Sequence, residues 1–343
     1  MVESAGSNGQ EGVEVNSLGV VAAAGEGDAG RLAVSVVAPV YNEADNLPEL
    51  IRRVTDAVAP LGSYEVILVD DGSKDDSWRI ISEAATADEH VVGVRFQRNF
   101  GQHPAVAAGF AQARGRVVVT LDADLQNPPE EIPKLVARLG PDCDVATGWR
   151  QARKDPWQRR LPSLLVNRTL GRMTGVRLHD YGCMLRAYKR QVVEQLVACP
   201  ELNRSTTALT SWLGAAIVEV PVEHAARGSG RSRYHFWRLL KMNFDLITGF
   251  STGMLQVVSL TGIAVSVVGF AAAVVLAVWR VTHGSGPVGL TTFIAILMFL
   301  AGMQVAAIGV VGEYVGRIFV QVQGRPRYVV RETTDERDAA GGS

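Results

Sequence analysis

Asp122-Ala123-Asp124 sets two carboxylates one residue apart, directly after the apolar run Val117 to Leu121. That run reads as a buried strand, so both acids fall on the turn at its end. Two carboxylates on such a turn can hold a hard divalent cation, Mg2+ or Mn2+. Mg2+ typically takes one or two carboxylates and completes its shell with waters and substrate phosphates. A cation there would offset charge growing on a departing diphosphate. The DxD spacing alone is a weak signal, because many surface turns contain it; its place after a strand raises it. Asp70-Asp71-Gly72-Ser73 ends a second apolar run, Glu65 to Val69. A carboxylate there could accept hydrogen bonds from a base or ribose. An ordinary Asp-Gly turn feeding the next helix is the plainer alternative.

The elements that must position these acids alternate in type. Leu32 to Ala38 reads as a buried strand, and residues 43–59 show helical periodicity. Glu65 to Val69 is a strand, Asp75 to Ala85 a helix, Val91 to Phe96 and Arg116 to Leu121 strands, and Pro104 to Ala113 a helix between them. This alternation predicts an α/β fold, a mainly parallel sheet with helices on both faces. Such sheets bind ligands at the carboxyl ends of their strands. Tyr41-Asn42-Glu43, Asp70-Asp71-Gly72-Ser73 and Asp122-Ala123-Asp124 all fall there. Gly25-Glu26-Gly27-Asp28-Ala29-Gly30 has the GxGxxG spacing but precedes a strand instead of following one, so it is not read as a dinucleotide site.

The formal net charge is −1 over 343 residues, which argues against a nucleic-acid binder. The three cysteines form no CxxC pair, so neither a zinc site nor a disulfide framework is expected, and the globular part reads as cytosolic. Residues 1–30 read as a disordered tail without the positive start of a signal peptide. Two apolar stretches, 255–279 and 290–315, would each be roughly 37 Å long as helices and exceed the ~30 Å hydrocarbon core. Both are expected to be transmembrane helices. Arginines flank them on the sides of residues 227–241 and 317–331, which predicts both flanks in the cytoplasm. The expected organisation is a catalytic domain over 31–232, an amphipathic interfacial region over 233–254, two spans joined by a non-cytoplasmic loop at 280–289, and a basic cytoplasmic tail over 316–343.

Pro39-Val40-Tyr41-Asn42-Glu43, Val69-Asp70-Asp71-Gly72-Ser73 and Asp122-Ala123-Asp124-Leu125-Gln126 together resemble family 2 glycosyltransferases of the GT-A fold. Asn99-Phe100-Gly101-Gln102-His103, the run Asp180 to Tyr188 and Gly312-Glu313-Tyr314-Val315-Gly316-Arg317 are similar to the polyprenyl-phosphate branch. That branch includes dolichyl-phosphate mannose synthase and undecaprenyl-phosphate 4-deoxy-4-formamido-L-arabinose transferase. The resemblance covers about residues 33–332. It implies that Pro39, Tyr41 and Glu43 contact the nucleoside, with Asp70 or Asp71. It also implies that Asp122, Asp124 and Gln126 surround the metal and diphosphate, and that Arg159 and Ser163 hold the acceptor phosphate. Pro162 before Ser163 departs from the family pattern. Arg227-Gly228-Ser229-Gly230-Arg231-Ser232-Arg233-Tyr234 resembles the family's R-x-x-G-x-S-K-Y loop, with Arg233 in the Lys position and Ser232 beside it. Arg227 and Arg233 are the expected diphosphate partners. Asp180 matches an acid near the acceptor and is expected to orient acceptor or sugar.

The expected activity is therefore a metal-dependent, inverting transfer from a UDP- or GDP-sugar to a polyprenyl phosphate at the cytoplasmic face of a bacterial cell membrane. Another lipid-linked acceptor, such as a phosphoglycolipid or membrane glycolipid, is the alternative. A processive polysaccharide synthase is disfavoured because its QxxRW motif is missing. A non-catalytic scaffold is disfavoured by the intact acids. The sugar and any self-association into a homo-oligomer stay open.

Overall fold

The structure, a computed structural model, describes residues 32–150, 178–180, 182–199, 206–223, scattered helical positions between 258 and 282, and residues 290–324 and 326–335. The chain divides into two units, one of Met1–Arg231 with Arg327–Ser343 and one of Ser232–Pro326.

Valine-rich runs form the strands of the first unit, since β-branched side chains suit a pleated, buried surface. In chain order the first unit contains β1 (Val34–Val40), α1 (Leu47–Val58), β2 (Tyr64–Asp70), α2 (Ser77–Ala87), β3 (Val91–Phe96), α3 (Gln102–Gln112), β4 (Val117–Thr120), α4 (Ile132–Arg138) and β5 (Val145–Arg150). It continues with β6 (Arg186–Lys189), α5 (Arg190–Ala198), α6 (Thr206–Trp212) and β7 (Ile217–Val222). Helix α7 (Leu290–Val322) belongs to the second unit, and β8 (Val330–Thr333) to the first. The sheet order is β7-β5-β6-β4-β1-β2-β3-β8. The pairs β1–β2, β1–β4, β2–β3 and β5–β7 are parallel, and β4–β6, β5–β6 and β3–β8 are antiparallel. The two reversals around β6 cancel. The carboxyl ends of β5 and β7 therefore lie on the same edge as those of β1, β2 and β4, and the amino end of β6 joins them.

The alternation expected from sequence is present, with small shifts at the ends. Helix α3 begins at Gln102, two residues before the expected start. Pro104 is accommodated because the first helical turn has no partner for its N–H groups. The expected helix from residue 43 begins at Leu47, because Glu43 to Asn46 closes a turn, Asn46 N donating to Glu43 O at 3.0 Å. Residues 330–333, expected within a basic tail, form a strand instead. They cover the free edge of β3, an edge whose unpaired amides and carbonyls would otherwise stay open.

Helix α3 is fixed along its length. It is buried from Pro104 to Phe110 and lies on β1. At its far end, the buried Glu65 carboxylate accepts from Arg114 N at 2.7 Å, Arg114 Nε at 2.8 Å and Ser35 Oγ at 2.5 Å. In its middle, Gly109 allows the close approach: a Cβ there would stand 2.2 Å from Val37 Cγ1. Helix propensity favours Ala over Gly by about 1 kcal/mol, but overpacking costs about 1–3 kcal/mol. Gly109→Ala is therefore expected to lower stability, read as an earlier denaturant midpoint of the catalytic unit. An unchanged or later midpoint would show that α3 does not need this contact.

In the second unit, α7 has 33 residues, about 50 Å at 1.5 Å per residue. Phe293, Val305, Ile308, Ile318 and Phe319 stand exposed on it. Among the described residues no helix is long and apolar enough to cross a membrane. Several side chains of α7 and most of 255–279 fall outside the described residues, as do 233–254 and most of 280–289.

Candidate active site

The carboxyl edge of the sheet gathers the acids expected to act. At the end of β2, Asp70 is fully enclosed and Asp71 nearly so. Asp70 Oδ1 accepts from Ser73 N at 3.0 Å, and its Oδ2 lies 3.5 Å from Arg95 Nε. That oxygen makes no hydrogen bond of good geometry, so the contact with Arg95 is an ion pair at the limit of range. Asp71 accepts from Phe100 N at 2.6 Å and Gly101 N at 2.9 Å. Burial pushes its carboxyl up, against the pull of those two amides. Gly72 has φ +70°, and a Cβ there would come within 2.6 Å of the Arg98 backbone, so the turn requires glycine. The two expected nucleoside acids thus hold loops: Asp70 the turn to Ser73, Asp71 the loop after β3.

The 41–46 loop is fastened to the same turn. Asn42, with φ 55°, donates its N–H to Ser73 Oγ at 2.9 Å and accepts from Lys74 N at 2.8 Å through Oδ1. Glu43 N donates to Ser77 Oγ at 3.1 Å, and Glu43 Oε2 accepts from Asn46 Nδ2 at 2.6 Å. Tyr41 is 42% exposed and offers its ring to solvent. Pro39 pairs with Val69 beyond the last β1–β4 pair, Val37 with Thr120, so its missing N–H breaks no bond to β4.

Asp122 and Asp124 follow β4. Asp122 Oδ1 accepts from Gln102 Nε2, in the first turn of α3, at 2.5 Å. Asp124 accepts from Gln126 N at 3.2 Å and Gln126 Nε2 at 2.6 Å. Leu125 between them has φ 57°, which turns the chain back on itself. Asp122 keeps some exposure although protein atoms crowd it. Burial, then the charge of Asp124, pushes its carboxyl up to about 7, against Arg150, Gln102 and Arg186. Two carboxylates that repel in this way fit a divalent cation, whose charge would reverse the shift. Among the described residues no group of three or more His, Cys, Asp or Glu forms a fuller site, so substrate oxygens and water would complete the shell.

Several partners here carry no obvious sequence signal. Arg150, at the end of β5, donates to Asp180 through Nε at 2.6 Å and Nη2 at 3.0 Å, a bidentate pair that is almost fully buried. Glu219 on β7 accepts from His179 N at 2.7 Å and Asp180 N at 3.1 Å, and Trp149 stacks on the His179 ring with centroids 4.5 Å apart. The buried Arg186, in register with both Thr120 and Thr147, donates to Cys183 O at 2.8 Å and to Thr207 Oγ1. His103 is held to the low side by burial and by Arg186. Arg159, Ser163, Arg227, Ser232 and Arg233 lie outside the described residues.

Residues 35–197 match the model of the family Glycosyl transferase family 2. The chain carries a glycosyltransferase domain. Its α/β sheet, mainly parallel with the acids at one edge, is the expected GT-A arrangement. Similar solved structures include glucosyl-3-phosphoglycerate synthase from Mycobacterium tuberculosis with Mn2+, UDP and glucosyl-3-phosphoglycerate. It is 22% identical with a TM-score of 0.47, and the match covers 71% of this chain and 84% of that one. The same synthase with Mn2+ and UDP-glucose is 22% identical with a TM-score of 0.47, over 70% and 83% of the two chains. A mycobacterial protein is 25% identical with a TM-score of 0.47, over 68% and 76%.

The glycosyltransferase domain carries a testable pH dependence. An aspartate near 7 in the folded state and near ~3.9 unfolded binds more protons when folded. Its contribution to stability is present below pH ~4 and is lost as pH rises through about 7. In chelator-treated protein, Asp122→Asn is expected to melt later than the wild type at pH 8, by a margin that shrinks at pH 5 and closes only near pH ~4. An equal difference at pH 8 and pH 4 would mean that Asp122 titrates normally.

Proposed function

We propose that this enzyme transfers a sugar from a UDP- or GDP-sugar to a polyprenyl phosphate at the cytoplasmic face of a membrane, with inversion and with the help of Mg2+ or Mn2+. The observation that carries the donor half is the mutually repelling pair Asp122 and Asp124, oriented by Gln102 and Gln126 at the carboxyl end of β4. Asp122 and Asp124 would hold the cation, which when bound stabilises charge on the diphosphate. Both acids need fixed positions for this, and each is held by a glutamine amide.

An acceptor phosphate needs no protein base. The second pKa of a phosphate monoester is near ~6, so at pH 7 it is largely dianionic. One of its oxygens forms the bond to the anomeric carbon while the bond to the diphosphate breaks and the electron pair leaves with the nucleotide. Asp180 suits orientation better than proton removal, because both its oxygens face the Arg150 guanidinium. Holding the reactants in line then supplies much of the rate.

The membrane half rests on apolar length. In the sequence, 255–279 and 290–315 are apolar runs of about 25 residues, the length of a span, and α7 presents large apolar side chains to its surroundings. The first unit is left at Arg231 and rejoined at Arg327, with β8 hydrogen-bonded to β3. A membrane segment between these points must cross an even number of times, and two spans satisfy that. The arginines on both flanks favour the cytoplasmic side.

The test is nucleotide release by purified protein with Mn2+, a polyprenyl phosphate and a panel of UDP- and GDP-sugars, followed by mass spectrometry of the lipid. A sugar-phosphate lipid is the expected product. Release of nucleotide only with another glycolipid, or equally well with a soluble phosphate, would overturn the acceptor. Asp124→Asn is expected to lower kcat by at least ~100-fold, as loss of a cation worth several kcal/mol implies. Asp180→Asn is expected to lower kcat in a way that high pH does not restore; recovery at high pH would make Asp180 a base.

A further inference from the structure

The strand that returns at the end of the chain touches the donor edge by two routes. Glu332 on β8 lies in register with Arg95 on β3 and accepts from Arg95 Nη1 at 2.7 Å. The Nε of the same guanidinium faces Asp70 Oδ2 at 3.5 Å, the buried oxygen with no hydrogen bond. Arg95 also lies over the Trp78 ring, 5.5 Å from its centroid. The second route is aromatic. Tyr328 stacks on the buried Phe96 with centroids 4.9 Å apart, and Phe96 meets Phe100 edge-on at 5.7 Å. Phe100 N is one of the two amides that Asp71 holds. Backbone bonds fasten the strap between these contacts: Gln97 N to Val329 O at 2.9 Å and Thr334 N to Gly93 O at 2.9 Å.

A buried carboxylate without a full set of partners is costly unless a cation stays beside it. Arg95 does that for Asp70 through its Nε, and Glu332, with the Trp78 ring, holds the guanidinium in that orientation. The order of the chain gives this meaning. Glu332 and Tyr328 follow the whole second unit in sequence, yet they brace both aspartates of the Asp70-Asp71 turn.

We propose that the C-terminal strap 327–334 is a positioning element of the donor site, with Glu332 acting through Arg95 on Asp70 and Tyr328 acting through Phe96 on the loop that Asp71 holds. Donor affinity then depends on the strap being docked, and the segment that follows the second unit sets the grip on nucleotide. The inference rests on the donor reading above.

Binding of UDP and GDP to the full chain in detergent, with Mn2+, tests it. Glu332→Ala is expected to weaken nucleotide binding by about fivefold, the scale of one lost charge-assisted hydrogen bond acting indirectly. Glu332→Gln keeps an acceptor oxygen and is expected to recover most of that loss. Arg331→Ala, on the same strand and exposed, is expected to bind as the wild type does. In an Asp70→Asn background the Glu332→Ala loss should vanish, since the pathway is already cut. Hydrogen exchange at the Phe100 and Gly101 amides is expected to rise in Tyr328→Ala even without nucleotide. Wild-type affinity in Glu332→Ala, or a loss that adds fully to that of Asp70→Asn, would overturn the role of Glu332. Unchanged exchange in Tyr328→Ala would overturn the aromatic route. A wild-type chain that binds neither nucleotide would overturn the donor reading instead, leaving the exchange result to decide whether the strap braces the loop.

Discussion

Acids buried at the carboxyl edge of the sheet impose the constraint on which the rest of this structure depends. A carboxylate removed from water must be met by amides, a guanidinium or a cation, or it takes up a proton. Asp71 is met by two backbone amides from the loop after β3, Asp70 by Ser73 N and the neighbouring Arg95, and Asp180 by the bidentate Arg150. Apart from Ser73, these partners come from stretches of chain distant in sequence: the end of β3 with the loop after it, and the end of β5. Satisfying the acids therefore fixes the loops, and the loops define the site. The fold is built so that the same strand ends that concentrate charge also concentrate the groups able to hold it.

Asp122 and Asp124 answer the constraint differently. Asp122 accepts from the neutral amide of Gln102, and the more distant Arg150 and Arg186 do not prevent it from rising to about 7. Leaving two carboxylates to repel costs stability, and such local violations tend to sit at functional places. The same logic explains why α3 is held so firmly. Gln102 can orient Asp122 only if its helix cannot slide, and the Gly109 contact with Val37 and the Glu65 cluster stop it at the middle and at the far end.

Much of this was legible in the sequence, and the boundary has physical reasons. Local patterning showed the first four strands, since runs such as Val91 to Phe96 are apolar enough to be buried on both faces. The acids were legible because they close those runs. β6 and β8 were not: Arg186 to Lys189 and Val330 to Thr333 are short, charged and carry no apolar alternation. Their strand character comes from pairing with distant edges, which no local window contains. Arg150, Arg186 and Glu219 were missed for a related reason. Each is meaningful only through partners set across the sheet, such as Thr120 and Thr147 on either side of Arg186.

The late return of β8 carries this further. A segment that ends a chain can be a loose end, and the Arg-rich composition of residues 317–331 reads that way from sequence. Its contacts argue otherwise. An edge strand joined only by backbone bonds would cover β3 and do nothing more. This one adds a guanidinium–carboxylate pair and an aromatic stack that both lead inward to the Asp70-Asp71 turn. Edge protection and site positioning are thus met by the same few residues. The exposed Glu332 is the informative one among them: exposed on an edge strand, it adds little to stability through burial, and it pairs with the arginine that stands beside the most deeply buried acid of the site.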